Sequence, residues 1–294
     1  MHRRHYHFTT SVTESLRKGF EHEMANTKNS MREVERRFSV EGSAPTWDTM
    51  YAADTDRLEE HNYRQRRDHT VRHVMATIAP GSRVLDLGCG AGPVITELRS
   101  HGVDCAGVDY SHDMLNYARM RLRSRCLDES GLVRSDCRNT PFSDGSFDMV
   151  VCLGVISYVE DYRPILEEIH RVLRPGGTAI ITFRNKFNLV LSDPVATVKK
   201  IAKAMLGIGD AEPFKIGRFL DFRAVTSELE DLRFKFVKFK GIGFGPFSIN
   251  GRPIMSERTS IRVSDWLTRL CERLHFAFAF KWMTDVSVWI YQKS

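Results

Sequence analysis

An acid and three glycines occupy alternate positions, Asp86-x-Gly88-x-Gly90-x-Gly92, just after the short apolar run Arg83 to Leu87. Glycines so placed let a ligand approach the backbone closely at the mouth of a following helix, where free amides favour polar or anionic atoms. A dinucleotide site would read GxGxxG, and this spacing differs from it. A second acid, Asp109, follows 23 residues after Asp86 at the end of the next apolar run. There a carboxylate can accept hydrogen bonds from both hydroxyls of a ribose. A third, Asp136, followed by Cys137, closes the run after that. Three acids at three successive strand ends mark one rim of a sheet, where ligands sit in open α/β folds. Asp86 is read as shaping this site, and capping of the next helix is its alternative use.

Other reactive side chains carry weaker patterns. The six cysteines form no CxxC pair, so neither a zinc site nor a dithiol redox site is signalled. Their scatter fits reduced thiols in a cytoplasmic protein better than a disulfide scaffold. The terminal MHRRHYHF holds three histidines, but a chain end rarely has the fixed geometry a metal needs, so no metal site is expected. His170 is read as a packing or surface residue. Pro175-Gly176-Gly177 is read as a tight turn between a helix and a strand.

The elements that must carry the acids follow from the apolar pattern. Residues 57–78 read as a helix, with Leu58, Val71, Val74, Met75 and Ile78 as its apolar positions, ended by Pro80-Gly81. Strands are expected at 83–87, 103–108, 133–136, 147–153 and 178–183, alternating with helices at 93–100, 113–125 and 163–173. That rhythm predicts a Rossmann-like, doubly wound α/β sheet covered on both faces. A helix over 222–232, a strand alternating aromatic and lysine over 234–240, a helix over 261–275 and a terminal strand over 286–291 complete it. Residues 1–45 read as a polar, partly disordered extension with helical stretches, and 46–294 as one domain.

The segment from Val84 to Phe183 resembles the core of the class I S-adenosylmethionine-dependent methyltransferases. The resemblance rests on VLDLGCGAGPV (84–94), GVDYSHDML (107–115), SDCRNTPFSDGSFDMVVCLGVISYVED (135–161) and EIHRVLRPGGTAIITF (168–183). It implies a mostly parallel sheet with an antiparallel last strand. It also implies S-adenosylmethionine as cofactor, with Gly88, Cys89, Gly90 and Gly92 against its methionine part. Asp109 would hold the ribose, and Tyr110, Ser111 and Met114 would lie beside the adenine. Asp136 would accept from the adenine amine with Cys137 at its edge, while Leu153 and Gly154 would close the pocket below the sulfonium. Many small-molecule members carry a histidine or acid after the fourth strand. Here that stretch is Ser157-Tyr158-Val159-Glu160-Asp161. Tyr158 and Glu160, with Tyr51 upstream, are the candidates for a catalytic role. Tyr51 and Trp47 resemble the N-terminal cover of related enzymes.

The Asn/Asp-Pro-Pro-Tyr/Phe stretch of nucleic-acid amine methyltransferases is absent after the fourth strand, so no nucleic-acid partner is expected. Two additions, 184–220 and 244–282, stand where small-molecule members build substrate lids. The second carries Phe244, Phe247, Trp266, Phe276, Phe278, Phe280 and Trp282 among basic residues. The net charge of +6 divides as +1 over residues 1–75, −3 over 76–183 and +8 over 184–294. The basic excess therefore sits at the C-terminal end and suits an anionic partner or a solvated face. The longest apolar runs are about half of a bilayer span, so no transmembrane helix is expected. The expected activity is methyl transfer to an oxygen or nitrogen of a small organic acceptor. Its alternatives are a lipid or quinone methyltransferase with peripheral membrane contact, and a non-catalytic cofactor-binding regulatory subunit.

Overall fold

The computed structural model describes residues 56–185, 219–245, 247–249, 252–273 and 286–294, with Asp193, Val195, Val198, Lys199 and Thr284. Tyr51 and Trp47, the extension 1–45, most of 184–220 and the aromatic cluster after 273 lie outside these residues.

Helix α1 (Leu58–Thr77) precedes the alternating core. Strand β1 (Arg83–Leu87) leads into α2 (Pro93–Ser100), and β2 (Asp104–Asp109) into α3 (His112–Ser124). Short β3 (Leu132–Arg134) is followed by β4 (Phe147–Leu153), a 3₁₀ turn at Val155–Ser157, and α4 (Arg163–Val172). Then come β5 (Leu173–Asn185), β6 (Phe219–Leu220), α5 (Phe222–Asp231) and β7 (Phe234–Ile242). A small hairpin, β8 (Ser248–Ile249) and β9 (Arg252–Pro253), leads to α6 (Glu257–Arg273) and the final β10 (Val286–Lys293).

The main sheet runs β3-β2-β1-β4-β5-β10-β7, with β6 paired to the end of β5. Its core strands are parallel, while β10 is antiparallel to both β5 and β7. This is the expected doubly wound architecture. Side chains alternate across the sheet: Leu85 and Leu87 join the apolar layer that includes Ile165, Leu166 and Ile169 of α4 and Val225 and Leu229 of α5. Val84 faces the other way, into a layer with Val71 and Val74 of α1, Ile95 and Leu98 of α2, and Leu115 of α3.

Four local readings need correction. Strand β3 stops at Arg134, so Asp136 stands in the loop beyond it. Strand β5 starts at Leu173, paired with Phe147, and pairing resumes only at Met149 with Thr178. Pro175-Gly176-Gly177 thus forms part of a bulge within a strand, because the proline cannot donate to the ladder and Gly177 has Arg174 O in the place of a side chain. The alternation in β7 is broken where the register slips, Ile290 facing Lys238 and Tyr291 facing Phe236. Val237 is left over between them, and it and Phe236 are half exposed on the edge strand. Met75, expected on the apolar face of α1, is exposed, and that helix instead buries His61, Asn62, Tyr63, Arg66 and Thr70.

Candidate functional site

Strand order reverses at β1, whose neighbours are β2 on one side and β4 on the other. The loops leaving β1 and β4 therefore part in opposite directions and open a crevice at the carboxyl ends of the strands. A cavity enclosing about 920 Å³ of space, part of it open to solvent, lies there.

The floor is the glycine turn after β1. Gly88 and Cys89 donate their N–H groups to Val108 O at 2.7 and 2.8 Å, which ties the turn to β2. Gly88, Gly90 and Gly92 all have positive φ, the region glycine enters without penalty. Gly88 and Gly92 face protein: a methyl at Gly88 would collide with Val155 Cγ2, and one at Gly92 would lie 2.9 Å from Ala118 Cβ. Gly90 differs, because a methyl there would meet nothing within 4 Å among the described residues. It forms cavity wall with Gly88 and Cys89, whereas Gly92 caps α2 behind it.

Asp109 ends β2 with its carboxylate fixed from two sides. Gly90 N–H donates to Oδ2 and Ser111 N–H to Oδ1, each at 2.9 Å. Burial holds its carboxyl above the usual carboxylate range, opposed by backbone N–H donors at Ser111, Gly90 and Tyr110. Each oxygen keeps further lone pairs for a ligand. Tyr110 and Met114 continue the wall. Ser111 is buried as the N-cap of α3, its Oγ accepting Met114 N–H at 3.3 Å, and is not part of the wall.

Asp136 and Cys137 line the far side. Asp136 is engaged by its own loop: Arg138 Nη2 donates to Oδ2 at 2.6 Å and Arg138 N–H to Oδ1 at 2.9 Å. Arg138 Nε sits 3.0 Å from both oxygens. Leu153, Gly154 and Tyr158 close the β4 side. Glu160 is exposed and does not reach the cavity. His170 packs its ring against Phe234 at 5.4 Å, away from this wall.

Asp86 lies beneath the turn, 2% exposed, and is not in the wall. Period-two geometry puts it on the same side as Val84, facing α2, where the Ile95 amide favours its charged form. Its Oδ2 has no hydrogen-bond partner among the described residues. Burial, reinforced by Asp109, pushes its carboxyl up to about 7 against the pull of Ile95 N–H and Arg66. Burial likewise pushes the Cys89 and Cys137 thiols well up, so both stay protonated.

Two polar wall residues escaped the sequence reading. Tyr63 and Arg66 project from α1, with the Arg66 guanidinium 4.5 Å from the centre of the Tyr63 ring. A methyl on Gly154 would lie 2.9 Å from Arg66 Nη1, so Gly154 makes room for that side chain. Burial raises the Tyr63 phenol well above its ordinary value, and Tyr158 adds to the effect. A signal existed: polar residues recur at 59, 62, 63, 66 and 70, the spacing of one helical face, among few apolar partners. Among the described residues no cluster of three potential metal ligands occurs, and no helix is long and apolar enough to cross a membrane.

A crevice at the switch point, floored by a glycine turn and flanked by a strand-end acid, defines the class, and the comparisons agree. The family model described as a methyltransferase domain matches residues 85–181. A phosphatidylethanolamine N-methyltransferase of Cereibacter sphaeroides is 34% identical over 153 residues, covering 52% of this chain and 72% of that protein. A demethylmenaquinone methyltransferase of Staphylococcus epidermidis is 36% identical over 114 residues, covering 37% of this chain. The match spans only 46% of that relative's length. Among solved structures, magnesium protoporphyrin IX methyltransferase from Synechocystis PCC 6803 with bound SAH superposes with a TM-score of 0.61 at 16% identity. It covers 90% of this chain and all of that one, and shows the shared fold. The chain belongs to the family of class I S-adenosylmethionine-dependent methyltransferases.

Proposed function

We propose that this protein transfers a methyl group from S-adenosylmethionine to an oxygen or nitrogen of a small organic acceptor. The observation that carries this reading is the pairing of Gly90, whose missing side chain leaves open space, with the Asp109 carboxylate held by the Gly90 and Ser111 amides. Such a cradle suits an adenosyl group, with its ribose on Asp109 and its base between Tyr110, Met114 and Cys137. Asp136 has much of its acceptor capacity committed to Arg138, so the edge of the adenine is read by the loop as a whole. Arg66 supplies a positive charge near Gly154 and the glycine turn, suited to the carboxylate of the methionine end.

S-adenosylmethionine supplies, when bound, a methyl group on a positively charged sulfur that departs as a neutral thioether. With the leaving group already activated, alignment of the acceptor lone pair behind the methyl is the main task of the protein. Leu153, Gly154 and Tyr158 form the wall that performs this alignment. Burial keeps the Tyr63 phenol protonated, so it does not act as the base. The acceptor's proton leaves to solvent after transfer.

A second reading of the acceptor is a lipid or a quinone, supported by the names of the two relatives, a phosphatidylethanolamine and a demethylmenaquinone methyltransferase. The test has two arms. In the first, calorimetry with Asp109→Ala should show at least about tenfold weaker S-adenosylmethionine binding, since charge-assisted hydrogen bonds contribute roughly 1.5–3 kcal/mol each. Unchanged affinity in the folded variant would remove the ribose assignment. In the second, labelled methyl from the donor is followed into phosphatidylethanolamine and demethylmenaquinone in micelles, against water-soluble phenols and amines. Labelling of the soluble acceptors alone would reject the lipid and quinone reading.

A further inference from the structure

We propose that the solvent face of α6 docks the protein on an anionic lipid bilayer. At 100° per residue, Arg258, Arg262, Trp266, Arg269 and Arg273 fall within an arc of about 80°. All five are exposed, Trp266 by 57%. Arg258 also pairs with Asp56, through Nη2 to Oδ2 at 2.8 Å. The opposite side of α6 is committed to protein. Ser264 Oγ accepts Phe244 N–H at 2.9 Å, and Glu257 Oε2 accepts Leu58 N–H at 2.9 Å. The arginine face is thus the one α6 presents outward.

An exposed indole among arginines on an amphipathic helix suits a membrane interface. The indole sits at headgroup depth, while the guanidinium groups reach lipid phosphates and their stems lie along the acyl boundary. The hairpin leading into α6 adds aliphatic exposure, with Ile249 at 54% and Ile254 at 55%, beside exposed Arg252. Aliphatic side chains gain nothing from a nucleic-acid backbone but insert readily among acyl chains, which favours the bilayer over RNA. The excess of +8 in residues 184–294 has the sign that anionic headgroups attract. Asp265 of α6 accepts from Gln65 of α1 at 2.6 Å, and α1 carries Tyr63 and Arg66 into the cavity wall. The docked surface and the cavity are therefore linked through one helix. The proposal does not require that the acceptor be a lipid.

The full chain is floated with vesicles of phosphatidylcholine, with or without about one-third phosphatidylglycerol, at about 0.1 and 0.5 M salt. The wild type should float with anionic vesicles at low salt and be largely released at high salt. Reversing two charges, Arg262→Glu with Arg269→Glu, should lower the bound fraction at least about tenfold. Trp266→Ala should weaken binding at both salt concentrations, because insertion of the ring is not screened. Both variants should keep the thermal midpoint and the donor affinity of the wild type. Flotation that ignores lipid charge, or that persists in both variants, would overturn the proposal. So would absence of flotation together with an RNA mobility shift that the same substitutions abolish.

Discussion

Gly88 and Gly90 stand two residues apart with similar backbone torsions, 76° and 53° in φ, yet alanine should affect them differently. Each substitution places a side chain in the left-handed region, at about 1–2 kcal/mol. At Gly88 the new methyl also collides with Val155, adding an overpacking cost of about 1–3 kcal/mol. Gly88→Ala should therefore melt several degrees below Gly90→Ala. At Gly90 the methyl enters open space in the cavity, so the protein should stay folded and lose donor affinity by at least about tenfold. Melting curves and calorimetry on the two variants check this, and equal donor affinity in Gly90→Ala and wild type would show that the donor avoids this floor. The motif announced three glycines of one type. Their separate duties, one toward ligand and two toward protein, depend on Val155 and Ala118, which reach them only across the fold.

Helix α1 shows how an element can be legible in extent and opaque in purpose. Its length follows from the pattern up to Pro80-Gly81, but its inward face is polar. Only the neighbours explain that face: His61 Nε2 lies 2.9 Å from Asp265 Oδ1, and Gln65 Nε2 donates to the same oxygen at 2.6 Å. The helix is held to α6 by these bonds, and it carries Arg66 and Tyr63 over the cavity. Removing the shared acceptor, Asp265→Ala, leaves both donors without it at a cost of about 1–3 kcal/mol. Hydrogen exchange across residues 58–77 should then quicken, with the sheet strands unchanged. Unaltered exchange in α1 would mean that apolar packing of Leu58, Val71 and Val74, not the polar latch, holds the helix. Among the described residues, none of β8, β9 or α6 is cavity wall, and α6 instead bonds to α1, which carries two wall residues.

At the scale of the molecule, buried Asp86 and partly buried His69 set opposing responses to pH. Folded Asp86 keeps its proton up to about pH 7, while the unfolded carboxyl releases it near the ordinary 3.8. Through that window the folded state binds more protons, so raising the pH removes stability, by an upper figure of roughly 4 kcal/mol. His69 works the other way. Burial, aided by Lys240 and Arg72, pushes it down to about 4, so stability is lost as pH falls below the ordinary 6.5. Asp86→Asn keeps the shape of the side chain and cannot ionise. Its melting temperature should exceed that of wild type increasingly between pH 5 and 8 in the absence of donor. Parallel profiles for the two proteins would place the charge of Asp86 in contact with a compensating cation. The sequence by itself determined the order of elements from Arg83 to Phe183, the glycine turn and the strand-end Asp109. These depend on local periodicity and on side chains that glycine lacks. Tertiary structure alone decided that Asp136 is engaged by Arg138, that Glu160 faces solvent, and that Tyr63 and Arg66 complete the cavity wall. Each of those outcomes depends on which distant surface a side chain meets, and a helix or loop carries no local record of its neighbour.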